Sequence, residues 1–588
     1  MILKTQIQQL LATALEQLQI ALPAGLSIHI DRTKEKQHGD FSSNIALLLG
    51  HSMKIKPYQL AQRIVQQLNV IDSDQVPWHT LEIAGPGFIN FFLKSSSWYP
   101  IISDILQEKE SYGHSNLGQG KKVLVEFVSA NPTGPLHVGH GRSAAYGDAI
   151  VRLLRISGYC VHAEYYVNDA GRQMDILALS VWLRYLQECG EKLDFPSNAY
   201  RGDYIYSLVQ QVQKQFGSKL RRASEQIFAD IPADEPAGGD KEIHIDALIQ
   251  RAKLLLDSNY HTLHRLSTDA LLTGIRDDLT AFNVQFDQWF SEAQLFTDAS
   301  VQEIIERLKN KGFTYEESGA LWFKSSAFGD EKDRVLLREN GQPTYFAADA
   351  AYRLNILHAR GFQQNINILG ADHHGYVPRI RAVIRALGYS DQMLTALLVQ
   401  FAVLYRGKER VSMSTRSGEF ITLRALCEEV GSDAARFFYV MRKVQQHMDF
   451  DLELAKSQSN ENPVYYIHYA HARICSVLRQ LSAKQLIFDL ELGLRHLHCL
   501  VAQDELDLLI GLSRYTETLQ QAVCHYEPHL LAHYLRELAQ LFHSYYNHHV
   551  FLIEEAGLRN ARLCLIIAVQ QIIRNGLNLL GVQAPEIM

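Results

Sequence analysis

The sequence predicts a multidomain α/β protein: a parallel-sheet domain carrying a helical insertion, preceded by an N-terminal α+β domain and followed by an all-helical C-terminal domain. Three observations carry this expectation. At 588 residues the chain is several times the length of a ~150-residue domain. The apolar run "KKVLVEFVS" leads through a loop rich in Gly and Pro into a helix and then a second strand, "YCVHAEYYV", which makes a βαβ unit. From about Gly431 to Met588, Leu and Ile recur at helical spacing almost without interruption.

Residues 1–117 open on "ILKTQIQQLLATALEQLQIALPAG", an amphipathic helix whose polar residues interrupt any signal-like core. "HGDFSSNIALLLG" predicts a helix carrying Ile45, Leu48 and Leu49, with Asp40 or Ser42 as its cap. "LEIAGPGFINFFL" predicts two strands joined by a turn at Gly85-Pro86-Gly87. Residues 118–430 hold the βαβ unit, whose helix carries Ala144, Ala149, Leu153 and Leu154. Long amphipathic helices then fill an insertion at about 173–337, which includes the polar surface loop "IPADEPAGGDKE". A second strand-loop series resumes with "PTYFAADAAY", "NINILGADHHGY" and "LLVQFAVLYRG". The helical segment 431–588 reads as a separate binding domain.

Composition excludes several classes. Hydrophobic residues at 47% and charged ones at 21% suit large cores, and the net charge of −7 excludes a wholly basic nucleic-acid coat. The 7 cysteines include no CxxC pair, against a zinc ribbon or a disulfide framework and in keeping with thiols in a reducing cytosol. No stretch is expected to reach the ~20 apolar residues of a membrane span. The expectation is a soluble cytoplasmic protein.

The loop "SANPTGPLHVGHGRSAA" follows the first strand of the βαβ unit, where open parallel sheets bind ligands. Gly139 and Gly141 permit close backbone approach, and the next helix offers free N–H groups to an anion. His137 and His140 are spaced to flank that first turn and to donate to phosphate oxygens. The spacing matches neither GxxxxGK[ST] nor GxGxxG. The plainer alternative is a tight turn with two solvated or capping histidines.

These residues carry a resemblance. "HVGH" after a buried strand is similar to the HIGH signature of class I aminoacyl-tRNA synthetases, and "VEFVSANPTGPLHVGHGR" with "YYVNDAGRQ" resembles the arginyl-tRNA synthetases in particular. The likeness extends along the chain: "HGDFSSNIALLL" and "IAGPGFINFFL" resemble the family's N-terminal tRNA-contacting domain. "YRGDYI", "FDQWFSE" and "GADHHGY" resemble its Rossmann-like catalytic core, and "GSDAARFF", "NPVYYIHYAHARI" and "LGVQAPEIM" its helical anticodon-binding domain.

The resemblance implies ATP-dependent activation of L-arginine and its transfer to the terminal ribose of tRNA(Arg), with Mg2+ accompanying ATP, no structural metal, and a monomer. Phosphoryl transfer of this kind rests on positioning and charge stabilisation. His137, Gly139, His140, Asp372 and His373 would line the ATP side. For arginine, the resemblance implies Asp349 and Tyr345 at the guanidinium, Glu126 and Asn131 at the amino end, and His137 and His373 nearby. Carboxylates suit that planar five-donor cation, and Tyr345 and Asp349 share a face if their segment is helical. On residue type alone, Asp349 could equally be a solvated carboxylate and Tyr345 a core aromatic.

The family's second signature, KMSKS, meets "RGKERVSMSTRSGEF" here, so both class lysines are missing. Some members place a compensating lysine shortly before the HIGH motif, where this chain has Gly134. Lys408, Arg410 and Arg416 are the candidate cations, Arg416 favoured by its place in the loop, with Met413 and Ser414 beside ATP. Tyr469, His471, Arg473 and the terminal Met588 are the candidate anticodon contacts, by stacking and edge hydrogen bonds. Two other readings fit HVGH: a small-molecule adenylylating enzyme and a non-catalytic tRNA-binding paralogue.

Overall fold

The computed structural model describes residues 2–411 and 421–588. Its centre is a five-stranded, all-parallel sheet in the spatial order Leu394–Val399, Gln364–Gly370, Lys122–Glu126, Cys160–Val167, Gln288–Ser291. Lys122–Glu126 is central, and the chain leaves it first to one side and later to the other. The crevice beyond its carboxyl end is therefore a switch point, where such sheets hold ligands. The fifth strand, Gln288–Ser291, lies inside the stretch 173–337, so that stretch is not wholly an excursion from the sheet. "PTYFAADAAY" forms the helix Tyr345–Leu354 rather than a strand, because Thr344 caps it by accepting from the Ala347 N–H. "LLVQFAVLYRG" divides into two strands, and the second, Ala402–Arg406, pairs in parallel with Met448–Asp451 in another sheet.

The N-terminal region builds an antiparallel sheet in which Trp78–Ala84 and Phe88–Leu93 flank the expected turn. Its helix Ile45–Met53 begins after Asn44 with no side-chain cap, which corrects the expectation for Asp40 and Ser42. Asp40 instead accepts the Leu93 N–H at 2.7 Å, tying two strands together, and Ser42 lies within the strand Phe41–Ser43. Helices Arg172–Glu188, Tyr204–Phe216, Lys241–Leu256 and Ser258–Ala281 bury their own core around Trp182. The C-terminal bundle joins Pro463–Ala483, Gln503–Ser513, Tyr515–His525, His529–His548 and Ala556–Leu579. The last helix, with mean hydropathy 1.2, is long and apolar enough to span a membrane, which amends the sequence expectation; it is 61% buried and packs at the centre of the bundle.

The helix Val138–Ile156 is where these regions meet. Its small residues let it lie close to its neighbours: a Cβ on Gly147 would meet the Phe127 ring at 2.3 Å, and one on Gly141 would meet Leu423 at 2.7 Å. The fully buried Arg142 guanidinium donates to the carbonyls of Gln400, Lys443 and Gln446 at 2.7–2.9 Å. Asp148 receives both Arg152 and the buried Arg436. Arg436 also donates to Phe282 O and Leu580 O, so the last residues of the chain clamp this helix. Further along the tail, the Gln583 N–H donates to Asp433, and the carbonyls of Pro585 and Glu586 meet His471 and Arg479. Loss of Arg436 would leave Asp148 with Arg152 alone and the buried carbonyls of Phe282 and Leu580 short of a donor. Arg436→Ala is expected to lower stability by about 3–5 kcal/mol, read from the denaturant midpoint of the first unfolding transition.

Candidate functional site

The strand Lys122–Glu126 delivers the chain to the crevice through an unusual turn. Val128 and Ser129 both take positive φ, 67° and 41°. For a β-branched residue this is strained backbone, of order 1–3 kcal/mol, held by its surroundings. Ser143 Oγ accepts the Val128 N–H, Ser129 Oγ accepts the Tyr166 N–H, and Tyr165 donates its hydroxyl to Ala130 O at 2.8 Å. The chain then reaches His137 at the start of the helix.

There the two histidines cap the helix together. The Gly139 N–H donates to His137 Nδ1 at 3.1 Å, and the His137 N–H donates to His140 Nδ1 at 3.2 Å. The rings stack with centroids 3.7 Å apart. Gly139 is required by this stacking, since a Cβ there would stand 2.9 Å from the His137 ring. Accepting at Nδ1 places each ring proton on Nε2. Burial lowers both basicities, and with its neighbour His137 it brings His140 down to about 3. At neutral pH the pair is an uncharged donor set on a helix N-terminus, suited to phosphate oxygens. The capping alternative is thus realised, with both Nδ1 atoms as acceptors.

A cavity of about 430 Å³ opens beside the pair. It is lined by Glu126, Asn131, His137, Gly139, His140, Asp349, Asp372 and His373, all of them residues singled out from the sequence. Opposite the histidines its chemistry becomes acidic. Burial raises the Asp349 carboxyl to about 6, against a hydrogen bond from Tyr376 and the Arg353 charge. Burial also raises Glu126, opposed by Arg353 and reinforced by Glu164. The single charge of Arg353 does not offset the desolvation of the two carboxylates. Asn131, at the mouth, donates to Gln173 Oε1 at 2.7 Å, and His373 lies 3.7 Å from Asp372.

Other expected residues are placed differently. Tyr345 is 57% exposed and lies outside the cavity lining. As the first residue of its helix it leans towards the N-terminus, where its hydroxyl occupies the space over Gly171. The aromatic in contact with Asp349 is Tyr376. Lys408 is exposed on the turn after Ala402–Arg406 and Arg410 on the short strand Glu409–Arg410 that pairs back onto it, and neither lines the cavity. Met413, Ser414 and Arg416 fall outside the described residues. The residues that follow them are laced to the histidine loop: Val138 N–H donates to Ile421 O at 3.2 Å and Leu423 N–H to Leu136 O at 2.8 Å. A Cβ on Gly134 would sit 3.4 Å from the Tyr204 ring, in ordinary contact.

In the bundle, His471 is fully buried with Nδ1 at 2.8 Å from Pro585 O, so its ring is inside the helix packing rather than open to a base. Arg473 lies over the rings of Tyr469 and Tyr546 at 4.2 and 4.7 Å and donates to His543. Met588 is half exposed. Sequence reasoning missed Arg353 and Tyr376, which line the cavity, and Glu292, which acts on Asp349 from outside that lining. Glu292 is raised to about 7 by burial, then by Asp349 and Asp169. Its signal was available, since an acid directly after an apolar strand stands at the ligand-binding end of the sheet.

This strand, histidine-capped helix and switch-point cavity define a class I aminoacyl-tRNA synthetase. Residues 101–196 and 242–459 match the family of class I (R) tRNA synthetase catalytic domains. The chain belongs to the arginyl-tRNA synthetase family. Residues 5–93 match the arginyl tRNA synthetase N-terminal domain and 467–588 the DALR anticodon-binding domain. The arginine–tRNA ligase of Thioalkalivibrio sulfidiphilus is 54% identical, with 100% of both chains covered. That of Legionella pneumophila is 53% identical, again over 100% of each. The arginyl-tRNA synthetase of Thermus thermophilus shares the fold at TM-score 0.72 and 22% identity, with 100% of both chains covered.

Proposed function

We propose that this protein is an arginine–tRNA ligase, which activates L-arginine with ATP and passes the arginyl group from its adenylate to the 3′-terminal ribose of tRNA(Arg), releasing AMP and pyrophosphate. One observation carries this reading: a single cavity joins a neutral histidine pair on a helix N-terminus to two carboxylates, Glu126 and Asp349, that share one cation, Arg353, between them. The arginine carboxylate attacks the α-phosphate of ATP, and the Nε2–H groups of His137 and His140 meet the charge that builds on the phosphate oxygens. Asp349, with Glu292 and Tyr376 behind it, takes the guanidinium; Tyr345 can close over it from the Gly171 side. Glu126 and Asn131 hold the amino end, and Asp372 and His373 the nucleoside side. Arg416 supplies the cation to the leaving pyrophosphate in place of the missing lysines, and Met413, Ser414 and Lys408 bind ATP. Mg2+ enters with ATP, held by phosphates and water.

In this reading segment 118–430 carries the chemistry, and segments 1–117 and 431–588 bind tRNA. Tyr469, Arg473 and Met588 face the anticodon, and His471 supports them from within. The enzyme works in the cytoplasm as a monomer. The test is ATP–pyrophosphate exchange, expected with arginine and stimulated by tRNA. Exchange driven by glutamine or glutamate instead would overturn the assignment. Citrulline, an uncharged near-isostere of arginine, is expected to support exchange at least about 10²-fold less well, because it leaves buried carboxylates unpaired.

A further inference from the structure

The acidic cavity already contains a guanidinium. Arg353 lies one helical turn beyond Asp349, is 2% exposed, and lines the cavity. Its Nη1 donates to Asn365 Oδ1 at 2.5 Å and stands 3.5 Å from both Asn367 Oδ1 and Glu126 Oε2. Arg353 Nε and Glu126 Oε2 are both buried without a hydrogen-bond partner. A buried cation in a site meant for cations opposes the substrate, and buried polar atoms left short are costly. Such an arrangement calls for a use.

We propose that Arg353 is a positioning residue for arginine recognition: its fixed charge keeps Glu126 ionised and aimed at the substrate's α-ammonium, which leaves Asp349 to the guanidinium. The proposal rests on the function given above. Its logic is a charge count. Two carboxylates sharing a dry cavity do not both ionise without a cation. With Arg353 present, Glu126 and Asp349 can both carry charge and the cavity is left one negative charge short of a partner. The amino group and guanidinium of arginine then each find an acceptor.

The groups around Arg353 are chosen so that its charge is not spent elsewhere. Asn365 and Asn367 stand two residues apart on Gln364–Gly370, with Asn367 in register beside Glu126. Their amide oxygens hold the guanidinium without neutralising it, as carboxylates would. Glu164, on the far side of Glu126, is already occupied by Arg360 and by the Tyr352 hydroxyl. Tyr352 and Tyr376 are held protonated by burial, so neither competes as an anion. From the helix Tyr376–Leu387, Arg379 acts on Asp349, while Glu292 opposes ionisation there.

The test compares Arg353→Met and Arg353→Lys with the unsubstituted enzyme in arginine-dependent exchange with tRNA, from about pH 6 to about pH 9. Arg353→Met is expected to raise the KM for arginine at least about 30-fold at neutral pH with kcat changed less than about 5-fold. Its acid limb in kcat/KM should move up by at least about one pH unit, since one carboxylate now stays protonated longer. Arg353→Lys should hold the limb within about half a unit of its original position. A limb that does not move in Arg353→Met overturns the proposal, as does a loss carried by kcat alone, or a lysine variant as defective as the methionine one. If Arg353→Met does not fold, Asn365→Leu loosens the guanidinium but keeps the charge. A smaller shift in the same direction then supports the proposal, and an unmoved limb overturns it. An unsubstituted enzyme with no arginine-dependent exchange would overturn the function itself, which is a different outcome from any of these.

Discussion

His140→Ala is expected to lower the rate of arginine activation about 10²–10³-fold while leaving the KM for arginine within about 2-fold. In the proposed function the ring meets phosphate oxygens rather than the amino acid, so ground-state binding of arginine should not depend on it. What is lost is a preorganised donor at the position where charge develops. The substitution also removes the acceptor for the His137 N–H, a capping loss of about 1 kcal/mol that leaves the protein folded. His140→Asn restores an amide acceptor and a donor of similar reach, and should recover part of the rate. The measurement is exchange at saturating arginine, with thermal unfolding as the control. Because burial holds His140 near 3, no acid limb between about pH 5 and pH 8 should belong to it.

Such a limb is expected from Asp349, and Asp349→Asn is the second large effect. It should reduce kcat/KM for arginine about 10²–10³-fold, the scale for removing one partner of a desolvated charge pair. The sign of the pH dependence follows from its raised value of about 6. The ionised form binds the guanidinium, so affinity is full above that pH and falls as the pH drops through it. Arginine binding near pH 6 should therefore release a proton, measurable by calorimetry in two buffers of different ionisation heat. In Asp349→Asn the limb near pH 6 and its released proton should vanish, leaving only the titration of Glu292 at about 7. In the ligand-free protein the effect on stability is opposite. The folded state holds this proton at pH values where the unfolded chain has lost it, so the group's contribution falls as pH rises from about 4 to about 6. Ligand-free Asp349→Asn at neutral pH should then melt no lower than the unsubstituted protein, although it binds arginine far worse.

The sequence disclosed the central sheet through its two clearest strands and the histidine loop between them, because buried parallel strands are continuous apolar runs. It disclosed less where tertiary context overrides local pattern. The helix Tyr345–Leu354 looked like part of a strand series, and only its Thr344 cap and the burial of its alanines distinguish it. Asp40 has the residue type of a helix cap, but the partner it meets, the Leu93 N–H, is distant in sequence. The cavity's chief carboxylates were legible because a family pattern singled them out. Arg353 and Tyr376 were not, since an arginine and a tyrosine within helices look ordinary until the fold brings Glu126 beside the first and the packing of helix Tyr376–Leu387 on Tyr345–Leu354 brings Asp349 beside the second.

The clamp on the histidine-bearing helix bears on how the bundle and the sheet domain respond to stress. Arg436 finds carbonyl acceptors on Phe282 and Leu580, and Gln583, Pro585 and Glu586 tie back to Asp433, His471 and Arg479. The helix that carries His137 and His140 therefore shares its buried partners with the helical bundle. Loosening one region should loosen the other, so the two are expected to open as one cooperative unit. Amide exchange in the histidine-bearing helix of Arg436→Ala should rise together with exchange in the bundle.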